Sequence, residues 1–376
     1  MDKIKVPFVD LGRFYKNHRD KILEITDQVG NSGIYILGNI VEEFERDFAT
    51  YCGVNHAISV GNGTDALALC LHALDIGPGD EVIIPANSFI ATAGAVVEVG
   101  AIPICVDVDT EQNISIDAIE NAVTQKTKAI IVVHLNGNPA RIEKIEKRFK
   151  NTNIKIIEDA AQSIGAEING KRTGSFGECG CFSLHPLKNF HMFGDGGMIT
   201  TNSTEMKIKL DRLRNHGLID RNKCEVFSRN SRLDALQASY GKYLLPYLED
   251  WTERVIKIAE YYHSEFNEFC YVPKTREHVR SVYHNYVIQT QNRNELSLYL
   301  QEYGIETKIH YPIPIVEQPA WQKLSVKSEP VPFVKKQKEE ILSLPIYAEL
   351  NDIEVEYVAQ KVKGFFLETQ LVKEAV

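Results

Sequence analysis

The chain has 376 residues, of which 44% are apolar and 25% charged, and its formal net charge is −9. This composition is typical of a globular protein with room for two domains, and the acidic balance argues against nucleic acid or an anionic membrane as the main partner. No apolar run approaches the length of a transmembrane helix, and the N-terminus has no apolar run of signal-peptide length. The seven scattered cysteines favour reduced thiols, so we expect a cytoplasmic protein.

Helical periodicity dominates the first fifty residues after an irregular N-terminal arm. Ile22, Ile25 and Val29 would share one face of a first helix. The aromatic residues between 44 and 51 would share one face of a second helix. Their spacing indicates core packing.

A strand, a glycine turn and a helix are predicted between residues 56 and 71. His56 to Val60 is typical of a strand, the run from Ala66 is typical of a helix, and Gly61-Asn62-Gly63-Thr64-Asp65 lies between them. A helix N-terminus that follows glycines can bind an anion through its free backbone N–H groups. The stretch is neither a Walker loop nor a full dinucleotide fingerprint. The alternative is a tight turn with Thr64 as the helix N-cap.

Further strands alternate with helical stretches up to residue 159, which predicts a mostly parallel sheet with crossover helices. These strands are expected at residues 80–84, 103–107, 129–135 and 154–158. In such sheets, ligands bind at the carboxyl ends of the strands. His134, Asp159 and the glycine turn all lie at such ends.

Lys188 stands between a short apolar segment that contains Ser183 and a glycine-rich turn at 194–197, before a strand-like run at 198–201. Burial would lower the pKa of its amine and make it reactive. Asp159 ends a buried strand, where an unpaired carboxylate would be costly. One ligand could suit all three features if it carried a phosphate for the turn, a basic ring nitrogen for Asp159 and an aldehyde for Lys188. Pyridoxal phosphate is such a molecule.

The second half of the chain changes character near residue 245, where a long helical pattern (233–269) is broken at Pro246. We predict an α/β large domain with the N-terminal arm over residues 1–245 and a smaller α+β domain over residues 246–376. The other elements expected beyond residue 201 are helices at 205–215, 295–303 and 335–342 and strands at 286–290 and 307–311.

Several short stretches, in order and at matching spacing, make the sequence resemble the DegT/StrS-type (DegT/DnrJ/EryC/StrS) sugar aminotransferases, which are pyridoxal-phosphate enzymes of fold type I. The resemblance covers nearly the whole chain. The matching stretches are 61–67, 158–162, 182–183, 186–189, 194–197, 214–217, 230–234 and 309–312.

The resemblance implies a role for each matching site residue. Lys188 would form the Schiff base with the cofactor and move the proton of the reaction, Asp159 would pair with the ring nitrogen, and Gln162 would bind the ring hydroxyl. Phe89 would stack on the ring. The phosphate would be held by Gly63, Thr64 and Ser183, and by Asn230 from the other subunit of a homodimer with shared sites.

The implied reaction is transfer of an amino group, from L-glutamate, to a keto sugar of a nucleotide-linked deoxysugar, with a dTDP-3-keto-6-deoxyhexose as the expected acceptor and pyridoxamine phosphate as the intermediate form of the cofactor. His310, Tyr311 and Arg229 are candidate substrate residues, and no metal ligands are expected. His185 and His191 flank Lys188 without an assigned role. The segment 190–193, Asn136 and Ser228 depart from the common family pattern at the border of the site.

Two alternatives remain on the same scaffold. Some family members that carry histidine in place of the lysine are dehydratases, and Lys188 favours amino transfer over a sugar dehydratase or epimerase. A non-catalytic regulator that binds pyridoxal phosphate is the other alternative, although nothing before residue 50 resembles a DNA-binding helix-turn-helix.

Overall fold

The structure is a computed structural model that describes residues 4–324, 326 and 329–374. Its helices are α1 (Leu11–Ser32), α2 (Asn39–Cys52), α3 (Gly63–Ala73), α4 (Ile90–Glu98), α5 (Ile116–Ala122), α6 (Ile142–Phe149), α7 (Thr204–Leu213), α8 (Ala235–Leu244), α9 (Leu248–Phe266), α10 (Arg293–Glu302), α11 (Pro319–Gln322), α12 (Pro332–Glu340) and α13 (Asp352–Glu374). Its strands are β1 (His56–Val60), β2 (Glu81–Pro85), β3 (Ile102–Val106), β4 (Thr127–Val133), β5 (Lys155–Asp159), β6 (Glu167–Ile168), β7 (Lys171–Arg172), β8 (Cys179–Ser183), β9 (Gly197–Thr201), β10 (Leu218–Asp220), β11 (Lys223–Cys224), β12 (Val279–Arg280), β13 (Tyr286–Gln289) and β14 (Ile341–Leu344).

A seven-stranded sheet in the order β1-β9-β8-β5-β4-β2-β3 forms the centre of the fold. The neighbours from β3 to β8 pair in parallel, whereas β9 runs antiparallel to both β1 and β8. β1 and β8 therefore point the same way. The predicted mostly parallel mixed sheet is confirmed.

Both faces of this sheet are covered, as the unbroken apolar run 129–133 of β4 indicates. Along the central strands, alternate side chains enter two different hydrophobic clusters. Ile83 and Ile130 pack with residues of α5 and α6, whereas Ile84 and Ile131 pack with residues of α3 and α4. This two-residue period follows from the pleat of a β-strand, and it leaves the strand ends as the open edge of the sheet.

Gly197, at the start of β9, brings β1 and β8 together. It pairs with Val60 on one side and with Ser183 on the other. A Cβ atom at position 197 would lie 2.4 Å from the carbonyl oxygen of Asn62, so a larger residue does not fit. The packing at Gly197 therefore sets the turn after β1 beside Ser183.

The C-terminal part of the chain has its own hydrophobic cluster, formed mainly by α9, α10, the β13–β14 pair and α13. Val6 of the N-terminal arm joins this cluster. The predicted break at Pro246 is confirmed, because Leu245–Tyr247 forms a 3₁₀ turn between α8 and α9.

Two local predictions were wrong, and so was the alternative N-cap of α3. Residues 307–311 form no strand: Lys308 alone pairs with Ser343, and the chain then turns toward the sheet edge. The helix expected to reach residue 342 ends at Glu340, because Ile341 and Leu342 pair with β13 in a contact between distant parts of the chain. The N-cap of α3 is Asn62 rather than Thr64.

Candidate active site

A cavity of about 720 Å³ lies at the carboxyl ends of β1, β4, β5 and β8, between the sheet and segments from the C-terminal part of the chain. Its wall brings together most of the predicted site residues, although they are widely separated in sequence. The predicted residues that line it are Gly63, Thr64, Phe89, Asp159, Gln162, Ser183, Lys188, His310 and Tyr311.

The N-terminus of α3 forms one end of this cavity. The side chain of Asn62 accepts a hydrogen bond from the backbone N–H of Asp65, at 2.8 Å. Within the part of the chain that the structure describes, the N–H groups of Gly63 and Thr64 donate to no protein acceptor. A Cβ atom on Gly63 would lie 2.8 Å from the Cβ of Ser183, so glycine keeps this end open. Two free N–H groups at a helix N-terminus beside a hydroxyl form a cradle for a phosphate.

Asp159, at the end of β5, is 6% exposed and lines the cavity. Its carboxylate accepts hydrogen bonds from the Thr92 hydroxyl at 2.8 Å and from the Ala161 N–H at 3.3 Å. Burial raises the pKa of Asp159, against these hydrogen bonds and the nearby charge of Lys188. A cationic N–H on a ligand would stabilise the ionised form of such a carboxylate.

Lys188 enters the same cavity from the loop after β8. Its backbone N–H donates to the His185 carbonyl at 2.8 Å, which closes a turn below the side chain. Burial lowers the pKa of Lys188 to about 8, although the charge of Asp159 opposes the shift. A substantial fraction of this amine is therefore neutral near pH 8, and a neutral amine is the form that can attack an aldehyde or accept a proton.

Gln162 connects the sheet edge with the far wall of the cavity. Its Oε1 accepts the backbone N–H of Asn136 at 2.7 Å, and its Nε2 donates to the Tyr311 hydroxyl at 3.1 Å. Burial raises the pKa of Tyr311 to about 12, so its hydroxyl remains a hydrogen-bond donor at neutral pH. The ring of Phe89 lies 5.7 Å from that of Tyr311, and Phe89 is 51% exposed.

Three histidines on the cavity wall favour the neutral form. Burial lowers the pKa of His310 to about 4 and the pKa of His191 to about 4, and it lowers the pKa of His284 as well. His310 shares a 2.9 Å hydrogen bond with Ser343, and the His191 ring packs 4.4 Å from that of Phe14. These histidines can bind a ligand without adding positive charge.

Two other histidines singled out from the sequence, His185 and His134, form hydrogen bonds with neighbouring protein groups. The exposed His185 accepts the Leu187 N–H in its own turn. His134 is buried outside the cavity wall and donates to Glu158 at 2.9 Å, since its other ring nitrogen accepts the Ala140 N–H.

Two predicted residues, Arg229 and Asn230, lie outside the cavity wall. Arg229 forms ion pairs with Asp65 and Glu98. Asn230 is exposed and pairs through its backbone with Asn215.

Sequence reasoning missed Thr92 and His284. Thr92 is a fully buried hydroxyl in an apolar helix. Ser88 lies one turn before it, and their hydroxyls are 2.8 Å apart. The available signal for Thr92 was this pair of hydroxyl residues, four positions apart at the start of an apolar helix. His284 lies in an irregular segment whose pattern carries no such signal.

The cavity fits pyridoxal phosphate on the chemistry of its wall. The free N–H groups of α3 and the Ser183 hydroxyl suit the phosphate. The buried carboxylate of Asp159 suits a protonated ring nitrogen, and the amine of Lys188 suits the aldehyde. Among the residues that the structure describes, there is no cluster of His, Cys, Asp or Glu side chains that could hold a metal ion, and no helix is both long and apolar enough to cross a membrane.

Comparison with known proteins gives a consistent match over almost the whole chain. Residues 16–363 match the DegT/DnrJ/EryC1/StrS aminotransferase family. A relative from Aneurinibacillus thermoaerophilus, named dTDP-3-amino-3,6-dideoxy-alpha-D-galactopyranose transaminase, is 41% identical over 96% of this chain and 99% of its own. A second relative, from Geobacillus stearothermophilus, is named a pleiotropic regulatory protein and is 40% identical over 96% of this chain and 99% of its own.

Solved structures agree with the sequence relatives. DesV from S. venezuelae has a TM-score of 0.93 and 35% identity, with 96% of this chain and 98% of that chain covered. Other similar structures include forms with pyridoxamine phosphate or pyridoxal phosphate. The cavity wall and these neighbours therefore point to the same cofactor.

Proposed function

This chain belongs to the DegT/DnrJ/EryC1/StrS aminotransferase family, which uses pyridoxal phosphate, and we propose that it transfers an amino group from L-glutamate to a keto carbon of a hexose linked to a nucleoside diphosphate. One observation carries the proposal. The amine of Lys188, with its lowered pKa, shares a cavity with the buried carboxylate of Asp159 and the anion cradle of α3. A reactive amine, an acidic partner and a phosphate cradle are what this chemistry requires.

Lys188, Asp159 and Thr92 would each have a separate role in this reaction. When bound, pyridoxal phosphate supplies an aldehyde that condenses with amines and a ring that accepts the electron pair of a broken C–H bond. Lys188 takes the proton from the α carbon of the amino donor and later gives a proton to the acceptor carbon. Asp159 holds a proton on the ring nitrogen, and the hydrogen bond from Thr92 favours the ionised form of that carboxylate and fixes its position.

The charge of the cavity wall favours a neutral acceptor group inside it. Lys188 is the one lysine or arginine among the described residues that line the cavity. Five acidic residues line it as well: Asp10, Asp65, Asp159, Asp195 and Glu349. A diphosphate would meet no further cation there. We therefore place the hexose inside the cavity and the nucleoside diphosphate at its mouth.

Exposed apolar side chains at the mouth support a homodimer. Phe89 and Leu187 line the cavity and are 51% and 54% exposed, and the adjacent Ile90 is 55% exposed. Such a patch beside a site is typical of a surface that another subunit covers. Asn230, exposed here, would then reach the phosphate of the partner subunit's site, and each site would be shared.

The acceptor is a dTDP-linked 3-keto-6-deoxyhexose in this proposal, in line with the printed activity of the relative from A. thermoaerophilus. The test is a comparison of dTDP- and UDP-linked keto hexoses with L-glutamate as donor. Products are identified by mass spectrometry and NMR. Turnover of UDP-linked acceptors alone would overturn the choice of nucleotide.

The first half of the reaction tests the proposal without the sugar. L-glutamate alone should discharge the visible absorbance of the bound cofactor and release 2-oxoglutarate in equal amount. Lys188→Ala should retain the cofactor by non-covalent contacts and lose turnover. Absence of 2-oxoglutarate with any amino acid would contradict amino transfer.

A regulator that binds the cofactor without turnover is a second candidate, favoured by the name of the relative from G. stearothermophilus. The same experiments separate the two, because a regulator would bind pyridoxal phosphate and leave glutamate unchanged. A dehydratase or epimerase would instead consume the sugar nucleotide without incorporating the amino group of ¹⁵N-labelled glutamate.

Shared sites are tested by mixing two inactive variants, Lys188→Ala and Asn230→Ala. If Asn230 acts on the partner subunit's site, each mixed dimer has one intact site, and a random mixture should regain about a quarter of normal activity. If both residues act within one subunit, mixing restores nothing.

A further inference from the structure

Asn136 has a left-handed backbone and forms hydrogen bonds through both its side chain and its main chain. It follows β4, and its φ of 59° lies in the left-handed region that few residues other than glycine and asparagine adopt readily. Its side chain donates to Gln112 Oε1 at 3.1 Å and accepts from Asn285 Nδ2 at 3.1 Å. Its carbonyl accepts the Asn285 N–H at 3.4 Å. These contacts tie the end of β4 to a segment from the C-terminal part of the chain.

The remaining group of Asn136, its backbone N–H, determines which way the Gln162 amide faces. An N–H can only donate, so the atom of Gln162 that lies 2.7 Å away must be the carbonyl oxygen Oε1. The NH₂ group of Gln162 therefore faces the opposite side. The Tyr311 oxygen lies there at 3.1 Å and takes one of its two hydrogens.

We propose that Asn136 is a positioning residue for the cofactor site: it fixes the direction of the Gln162 amide, so that one N–H is held by Tyr311 and the second is left for an oxygen on the cofactor's ring. The inference rests on the assignment of Gln162 to the cofactor in the proposed function. The asparagine supplies the left-handed turn and two side-chain hydrogen bonds at one position.

The variants Asn136→Gly and Asn136→Ala separate the two contributions. Glycine keeps the left-handed backbone and loses the hydrogen bonds to Gln112 and Asn285, whereas alanine loses both. We expect the dissociation constant of pyridoxal phosphate to rise about threefold for glycine and about tenfold for alanine. The absorbance maximum of the bound cofactor should shift in both, because the partner of its ring oxygen is displaced.

Asn169 provides a matched control. It is also left-handed, with a φ of 52°, but it is exposed in the turn between β6 and β7. Asn169→Ala should lower the melting temperature through the same backbone strain and leave both the cofactor's dissociation constant and its absorbance maximum unchanged. A change of cofactor binding in Asn169→Ala would show that strain alone causes the effect and would overturn the proposal.

Gln162→Ala separates failure of this inference from failure of the proposed function. If Gln162→Ala weakens cofactor binding and both Asn136 variants bind the cofactor normally, the role of Asn136 is wrong and the site assignment stands. If Gln162→Ala also binds normally, the assignment of Gln162 itself is wrong. Should Asn136→Ala not fold, the glycine variant decides, and an unchanged dissociation constant and absorbance maximum in it overturn the proposal.

Discussion

Thr92 donates its one hydroxyl hydrogen to Asp159 at 2.8 Å, and Ser88 therefore donates to Thr92. This buried chain of hydroxyls ends on the carboxylate that the proposed function pairs with the ring nitrogen. A hydrogen bond to an ionised group contributes about 1.5–3 kcal/mol, so the contact is large enough to affect ligand binding.

Thr92→Val should weaken binding of pyridoxal phosphate about tenfold, because valine keeps the shape and removes the donor that stabilises the ionised form of Asp159. The dissociation constant is measured by titration of the visible absorbance. Thr50→Val is the control: Thr50 is an exposed helical threonine whose hydroxyl bonds its own helix. Equal effects of the two substitutions would argue against a specific role for Thr92.

The amine of Lys188 should react with acylating reagents with a midpoint near pH 8 in protein freed of cofactor, whereas an ordinary lysine has a midpoint near pH 10.4. Reactivity rises with pH because the neutral amine is the nucleophile. Asp159→Asn should move the midpoint to lower pH, since the charge of Asp159 raises the pKa of Lys188. Mass spectrometry of the peptide that contains Lys188 provides the measurement. A midpoint unmoved by Asp159→Asn would show that the two groups do not interact.

Gly63→Ala should reduce cofactor affinity by at least tenfold, because the added methyl group would lie 2.8 Å from the Cβ of Ser183 and would push α3 away from β8. Gly30→Ala is the matched control. Gly30 lies within α1, and a Cβ there meets no atom within 4 Å. Glycine is a poor helix former, so Gly30→Ala should raise the melting temperature slightly and leave the cofactor in place. Normal affinity in Gly63→Ala would remove the α3 terminus from the proposed phosphate site.

Glu45→Ala should destabilise the fold by about 3 kcal/mol, because the buried guanidinium of Arg214 then keeps only its ion pair with Asp211 and the Ser59 N–H loses its acceptor. Glu45 pairs with Arg214, and it also accepts hydrogen bonds from the backbone and hydroxyl of Ser59. The exposed pair of Arg148 and Glu120 offers a control, since Glu120→Ala should cost less than about 1 kcal/mol. Urea denaturation followed by circular dichroism compares the two. Similar losses would mean that burial does not strengthen the contacts of Glu45.

The sequence predicted the elements whose signals are local. Alternation and apolar runs gave β1 to β5 within two residues at their ends, and the glycine turn with Asp159 and Lys188 indicated the cofactor. Each strand and each of these three signals depends on neighbours within a few positions, whereas their combination into one site came from the chemistry of the cofactor.

Features that depend on distant partners were not predictable in this way. Ile341 and Leu342 continue a helical pattern and nevertheless form a strand, because β13 offers a pairing edge. The link from Asn136 through Gln162 to Tyr311 joins three separate parts of the chain, and no spacing rule anticipates it.

The position of β9 in the sheet also determines when, during translation, the turn after β1 can dock beside Ser183. β9 lies between β1 and β8 in the sheet, yet it is translated after both. The turn after β1 can thus dock beside Ser183 only when the ribosome has released residues beyond 201, by which point Lys188 is already present. We expect a nascent chain that ends before residue 197 to fail to bind pyridoxal phosphate, so the cofactor would be bound only after all seven strands of the large sheet have been synthesised.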